Sequence, residues 1–241
     1  MEENFVPRRT VTGLLLITIG LALAALTTTA SMPTALSDAS MEELINSATS
    51  SVWLSILGCL SPISLVLDGV GLFLIASEAK QHSRQHQRLA WIGAILFVVS
   101  LVVSLGVSIP LAFTMASQGS RSTALLISWT QSITSVASLA GLVMVVYHLA
   151  GRGLRTLILA VAGLQAVTTL GAAAVSYSRL EVVSITIMNQ TQYMSQPYRG
   201  GLFPPLTIAA LITSWLLAVL IFELMMQARQ QARQADLDRV V

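Results

Sequence analysis

Charged residues fall along this chain in clusters separated by long uncharged stretches. No Asp, Glu, Lys or Arg lies between Arg9 and Asp38, Arg88 and Arg121, Arg121 and Arg152, Arg155 and Arg179, or Arg199 and Glu223. Each stretch exceeds the roughly 20 apolar residues that carry a helix across a hydrocarbon core of about 30 Å. The pattern predicts six helices, near residues 10–30, 52–77, 89–117, 122–150, 154–178 and 203–228. In lipid every backbone polar group needs a partner within the protein, and apolar runs of this length supply it as helices. Membrane strands would read instead as alternating segments of about ten residues. The third and fourth runs are longer than a perpendicular helix requires, so they are expected to tilt or protrude, with Pro110 placed to kink the third.

Composition supports the same solvent. Apolar residues make up 54% of the 241 positions and charged residues 10%, with a mean hydropathy of +0.76. A soluble domain is about 25% charged, so this chain has too few charges to coat a water-facing surface. Nucleic-acid binding, a disulfide framework and disorder are all disfavoured. Cys59 is the single cysteine, so no intrachain disulfide forms.

Basic residues orient the helices. With the N-terminus inside, the inner connections and tail hold Arg8, Arg9, Lys80, Arg84, Arg88, Arg152, Arg155, Arg229, Arg233 and Arg239, while the outer ones hold Arg121, Arg179 and Arg199. Ten against three places both termini in the cytoplasm. The fold expected is an all-α integral membrane protein, a six-helix transmembrane bundle of three hairpins entered behind Arg8-Arg9, Arg88 and Arg155, with a small outer cap. Residues 229–241 form a cytoplasmic tail that continues the last helix. The first run also resembles a secretory signal, with Arg8-Arg9 before it and small residues Thr28-Thr29-Ala30 after it. Its length favours an uncleaved anchor.

The outer connections carry some structure of their own. Ser40-Met41-Glu42-Glu43 is a capping-box sequence opening a short helix through about Ala48. The β-branched run at 182–187, followed by Pro197 and Gly200-Gly201, predicts a small outer hairpin. Asn189-Gln190-Thr191 is a glycosylation sequon on the same side.

Ionisable groups inside the spans are the candidates for chemistry, because they are costly there unless used. Asp68 lies past the middle of the second helix, where a carboxylate suits a proton- or cation-coupled site. The plainer reading pairs it with a basic residue near the inner face. Glu223 is expected to snorkel inward or meet Arg229, and His148 to mark the inner edge of the fourth helix. Gln131 and Gln165, with Thr130, Ser132, Thr134, Ser135, Ser138, Thr168 and Thr169, form a polar seam that either bonds helices together or lines a solute path. Small residues at Gly20 and Ala24, Gly58, Gly69 and Gly71, and Ala162 and Ala166 offer faces for close packing. His82 and His86 have a zinc-like spacing, but arginines stand between them and a solvated loop is expected. No cofactor or metal is called for, and no phosphate-binding loop or nucleophile motif occurs.

The stretch Gly69-Val70-Gly71-Leu72-Phe73-Leu74-Ile75-Ala76-Ser77-Glu78, a short basic connection and then Trp91-Ile92-Gly93-Ala94-Ile95-Leu96 resembles a hairpin of uncharacterised archaeal multi-spanning membrane proteins. The resemblance implies a membrane hairpin and no activity. Two functional classes follow from the residues. One is a non-catalytic structural or accessory membrane subunit, whose partners are the lipid bilayer and other membrane subunits or copies of itself. The other is a small solute transporter or substrate-binding component using Asp68 and the seam.

Overall fold

A computed structural model describes residues 8–36, 52–81, 83–187, 190–196 and 198–238. Among these residues the chain forms six long helices: α1 (Arg8–Leu36), α2 (Val52–Glu78), α3 (Arg84–Gln118), α4 (Arg121–Val146), α5 (Arg152–Ser178) and α6 (Phe203–Asp238). Five of them, α1 and α3 to α6, are long and apolar enough to cross a membrane. α2 matches them in length at 27 residues. The short outer helix expected at 40–48 and the sequon at Asn189 lie outside the described residues, as do His82 and the side chain of Cys59.

Each helix packs on its neighbours in sequence, and α6 returns to α1, which closes the six into a ring. Contact is densest within the pairs α1–α2 and α3–α4 and thinner across α2–α3 and α4–α5. The helices alternate in direction, giving one end that carries the start of α1 with the 79–83 and 147–151 connections, here the basic end. The opposite end carries β1 (Glu181–Ile187) and β2 (Gln190–Gln196), which pair antiparallel with Ser184 opposite Tyr193.

Large buried side chains concentrate toward the basic end. Leu14, Ile17, Leu72, Ile75, Phe97, Val145, Val146, Ile158, Ile221 and Leu224 belong to one cluster drawn from all six helices. Two glycine pairs set the spacing there. A Cβ on Gly13 would stand 2.7 Å from the Gly71 carbonyl oxygen, and one on Gly71 would stand 2.6 Å from that of Gly13. Gly93 and Gly141 repeat the arrangement between α3 and α4, each backbone occupying the place of the other's side chain. Lipid tails are as apolar as leucine, so membrane helices associate through close packing, and glycine permits the closest approach.

Three boundaries differ from the sequence reading, the first being the end of α1, at Leu36 rather than near residue 30. α3 begins at Arg84, earlier than expected, because Ser83 accepts a hydrogen bond from the His86 amide (3.0 Å) and caps the helix. The region expected as a solvated loop is therefore a first helical turn, and the His86 side chain is buried, 1% exposed. α4 ends at Val146 rather than near 150, and Tyr147 to Ala150 form a turn instead. α3 runs through Pro110 to Gly119, whose φ of 63° ends the helix in the left-handed region that glycine adopts without strain. A Cβ there would meet the ring of Tyr193 at 2.6 Å, so β2 rests on the tight α3–α4 turn. The amide of Tyr198 donates to the Ser176 carbonyl (3.0 Å), tying the chain beyond the hairpin back to α5.

Candidate functional site

Helix periodicity turns Ser64, Asp68, Leu72 and Ile75 of α2 toward the bundle, and all four are buried. Asp68 is 6% exposed. Its carboxyl lies on the backbone of α1 at Gly20. A Cβ at that glycine would strike Asp68 Oδ1 and stand 2.9 Å from the Ser64 carbonyl oxygen. Gly20 is thus the vacancy that admits the acid. Among the described residues, Oδ1 has no hydrogen-bond partner, and no Arg or Lys comes within ion-pair distance of the carboxyl. The expected basic partner is not found among the described residues, and none of the described cavities is lined by Asp68.

The acid that does pair near this end is Glu78, at the last position of α2. It accepts from the Thr10 amide (2.9 Å) and the Thr10 hydroxyl (3.1 Å), and lies 3.9 Å from Arg9 Nε. A carboxylate is favoured at a helix N-terminus, where amides lack intrahelical acceptors. Glu78 therefore caps α1 from the end of its partner helix. Sequence reasoning missed this because capping residues are sought next to the helix they cap, and Glu78 is 68 positions away.

The remaining candidates separate. Glu223 is exposed and accepts from Gln227 Nε2 (3.1 Å) one turn along α6, in place of the expected Arg229. Gln131 is exposed on α4. Gln165 turns to α6 and donates to the Ser214 hydroxyl (2.9 Å). Ser132 meets the Tyr177 hydroxyl on α5 (3.2 Å). Thr134 and Thr168 return their hydroxyls to carbonyls of their own helices, Thr130 (2.8 Å) and Leu164 (2.9 Å). Ser132, Thr134, Gln165 and Thr168 of the seam thus make helix-to-helix or intrahelical bonds.

A second cluster, unforeseen in the sequence, sits at the basic end. The turn after α4 brings His148 edge-to-face with His86 at 5.6 Å and with Tyr147 at 5.1 Å. Arg155 reaches back from the first turn of α5 to lie 4.5 Å from the Tyr147 ring centroid, and its Nη2 donates to the Ala150 carbonyl (3.2 Å). A guanidinium over an aromatic face is attracted by the ring quadrupole. Loss of hydration on burial, together with the Arg155 charge, holds His148 below the usual imidazole range. The signal that could have revealed this group is Tyr147-His148 followed by Arg155, eight residues after Tyr147 across a glycine-bearing turn.

Compared with protein-family models, curated proteins and solved structures, the chain matches none. The site's chemistry accordingly rests on this chain's own residues.

Proposed function

We propose that this chain is a multi-pass membrane protein of six spans, paired as three hairpins with β1–β2 as an outer cap, and that it serves as a non-catalytic structural or accessory subunit in a larger membrane assembly. The ten-to-three distribution of basic residues supports cytoplasmic termini in the cell membrane, which also puts the Asn189 sequon outside. The observation that carries the accessory reading is the packing of Asp68: this buried acid rests on the Gly20 backbone, and none of the described cavities is lined by it. Two other polar groups of the helices join neighbouring helices: Gln165 bonds Ser214 and Ser132 bonds Tyr177. Apolar side chains left uncovered along the far half of α3, including Val102, Leu105, Ile109 and Phe113, give partners or lipid a surface.

Extraction in mild detergent followed by native mass spectrometry tests this. A stable complex with a defined membrane protein, or with further copies of the chain, is the expected outcome. A lone chain that binds or moves a solute overturns it. The transporter reading is favoured by one observation, the carboxyl oxygen of Asp68 that lacks a donor among the described residues. Uptake abolished by Asp68→Asn in a folded protein would support that reading.

A further inference from the structure

Two hollows follow the same face of α5. At the basic end, a polar notch of about 320 Å³ lies between the α4–α5 turn and α6, lined by His148, Arg152, Arg155, Gln227 and Gln231. Farther along, an apolar groove of about 450 Å³ runs between α4 and α5, lined by Val136, Leu139, Val143, Met144, Leu159 and Ala162 among others. Arg152, Arg155, Leu159, Ala162 and Ala166 recur at helical spacing, which puts notch and groove on one stripe. The hollows adjoin at the stacked pair, since Tyr147 lines the groove and Arg155 lines the notch.

We infer that notch and groove together bind one anionic phospholipid, its headgroup phosphate at Arg152 and Arg155 and an acyl chain along α4 and α5. The inference rests on the membrane-spanning reading above. Charge complementarity supports it: the notch presents two guanidiniums and two carboxamides, and no carboxylate lines it. Glu223, one turn along α6, is engaged by Gln227. Arg155 Nε is buried without an acceptor among the described residues, although the same guanidinium is fixed by Ala150 and Tyr147. The backbone is open as well. Gly151 caps α5 with no side-chain hydrogen bond, and a Cβ at Gly151 or Gly153 would meet nothing within 4 Å. The starts of α1 and α3 are filled instead by Glu78 and Ser83. Depth points to a lipid rather than a free anion. From Val136 to Tyr147 the groove follows α4 for roughly 16 Å at 1.5 Å per residue, about one leaflet of a hydrocarbon core of about 30 Å. Basic pockets between helices at the cytoplasmic face suit anionic headgroups.

The test uses the full-length protein reconstituted in phosphatidylcholine vesicles, washed at alkaline pH, then titrated in detergent with phosphatidylglycerol, phosphatidylcholine or inorganic phosphate under native mass spectrometry. One phosphatidylglycerol should be retained in preference to phosphatidylcholine. Arg152→Gln with Arg155→Gln should weaken it about thirtyfold, from about 1 kcal/mol per basic residue at an anionic surface. Arg152→Gln alone, at an exposed position, should give a smaller loss and guards against misfolding of the double variant. Gly163→Leu, which lines the groove at a point with nothing within 4 Å, should weaken phosphatidylglycerol binding as well. Equal retention of the two lipids, with the arginine variants unchanged, overturns the inference. So does phosphate binding as well as phosphatidylglycerol with Gly163→Leu silent, which would make the notch a free-anion site. Protein stripped from vesicles by the alkaline wash would overturn the membrane reading and this inference together. Protein that stays inserted but shows no lipid preference overturns this inference alone.

Discussion

Gly71 and Gly141 each stand where the facing backbone carbonyl already fills the space a methyl group would need. Overpacking a fitted interface costs about 1–3 kcal/mol, so Gly71→Ala and Gly141→Ala should lower thermal stability in detergent by that order. Gly163→Ala, in open space, should leave the melting temperature unchanged or raise it, because alanine is favoured over glycine in a helix by about 1 kcal/mol. Equal melting shifts in all three variants would contradict the close approach. Asp68 makes a different prediction. With no cation in reach among the described residues, Asp68→Asn leaves no charge uncompensated and should shift stability by less than about 1 kcal/mol. Breaking a buried ion pair costs about 3–5 kcal/mol, and a loss of that size on thermal unfolding would reveal a partner. The placement of Asp68 was half legible. Its burial follows from helical spacing in α2, but the surface it rests on depends on what α1 presents, namely Gly20.

At the scale of elements, helix ends on this protein are completed by other segments. Glu78 supplies the acceptors that α1 lacks at its start, and losing a cap costs typically about 1 kcal/mol. Glu78→Gln, which removes the charge but keeps an acceptor, should destabilise by less than Glu78→Ala, and both should be read by thermal melting. Arg9→Gln should change little, because the Arg9 side chain is 72% exposed and exposed ion pairs contribute about 0–1 kcal/mol. An Arg9 effect as large as that of Glu78→Ala would show that the ion pair, and not the cap, holds the α1–α2 pair. Helix existence was legible for all six elements because apolar length is a local property, and in α2 it is interrupted only by Asp68. The start of α3 was misread because the first turn, rich in arginine, histidine and glutamine, looks solvated until Ser83 is seen to cap it. The hairpin was legible from its β-branched strand, whereas Gln190–Gln196 carries little strand signal and is paired because β1 offers it a ladder.

For the whole molecule, alternation of the helices puts Ser83 and Ser195 at opposite ends. Single cysteines introduced as Ser83→Cys and Ser195→Cys, each in a Cys59→Ala background, should react with an impermeant thiol reagent from opposite sides of sealed vesicles. Reaction of both from one side would refute six spans. The ring closed by α6 on α1 could not be read from spacing, since nothing in either helix alone names its partner. Trp215 Nε1 donating to the Thr29 hydroxyl (3.1 Å) is one bond that joins them.

What the sequence determined by itself is whatever depends on solvent: the presence of six long helices, five of them apolar enough to cross a membrane, the end at which basic residues gather, and the turn residues between helices. These are set by the cost of placing charge or unpaired backbone in hydrocarbon, a cost each segment meets alone. Only the tertiary structure decided which glycines meet, Gly13 with Gly71 and Gly93 with Gly141, which acid caps α1, and that Tyr147, His148 and Arg155 gather beside the start of α5. Those features depend on the axial offset and rotation of one helix against another. In a chain whose surface and core are equally apolar, no hydrophobic pattern encodes that offset, and close packing between particular residues selects it.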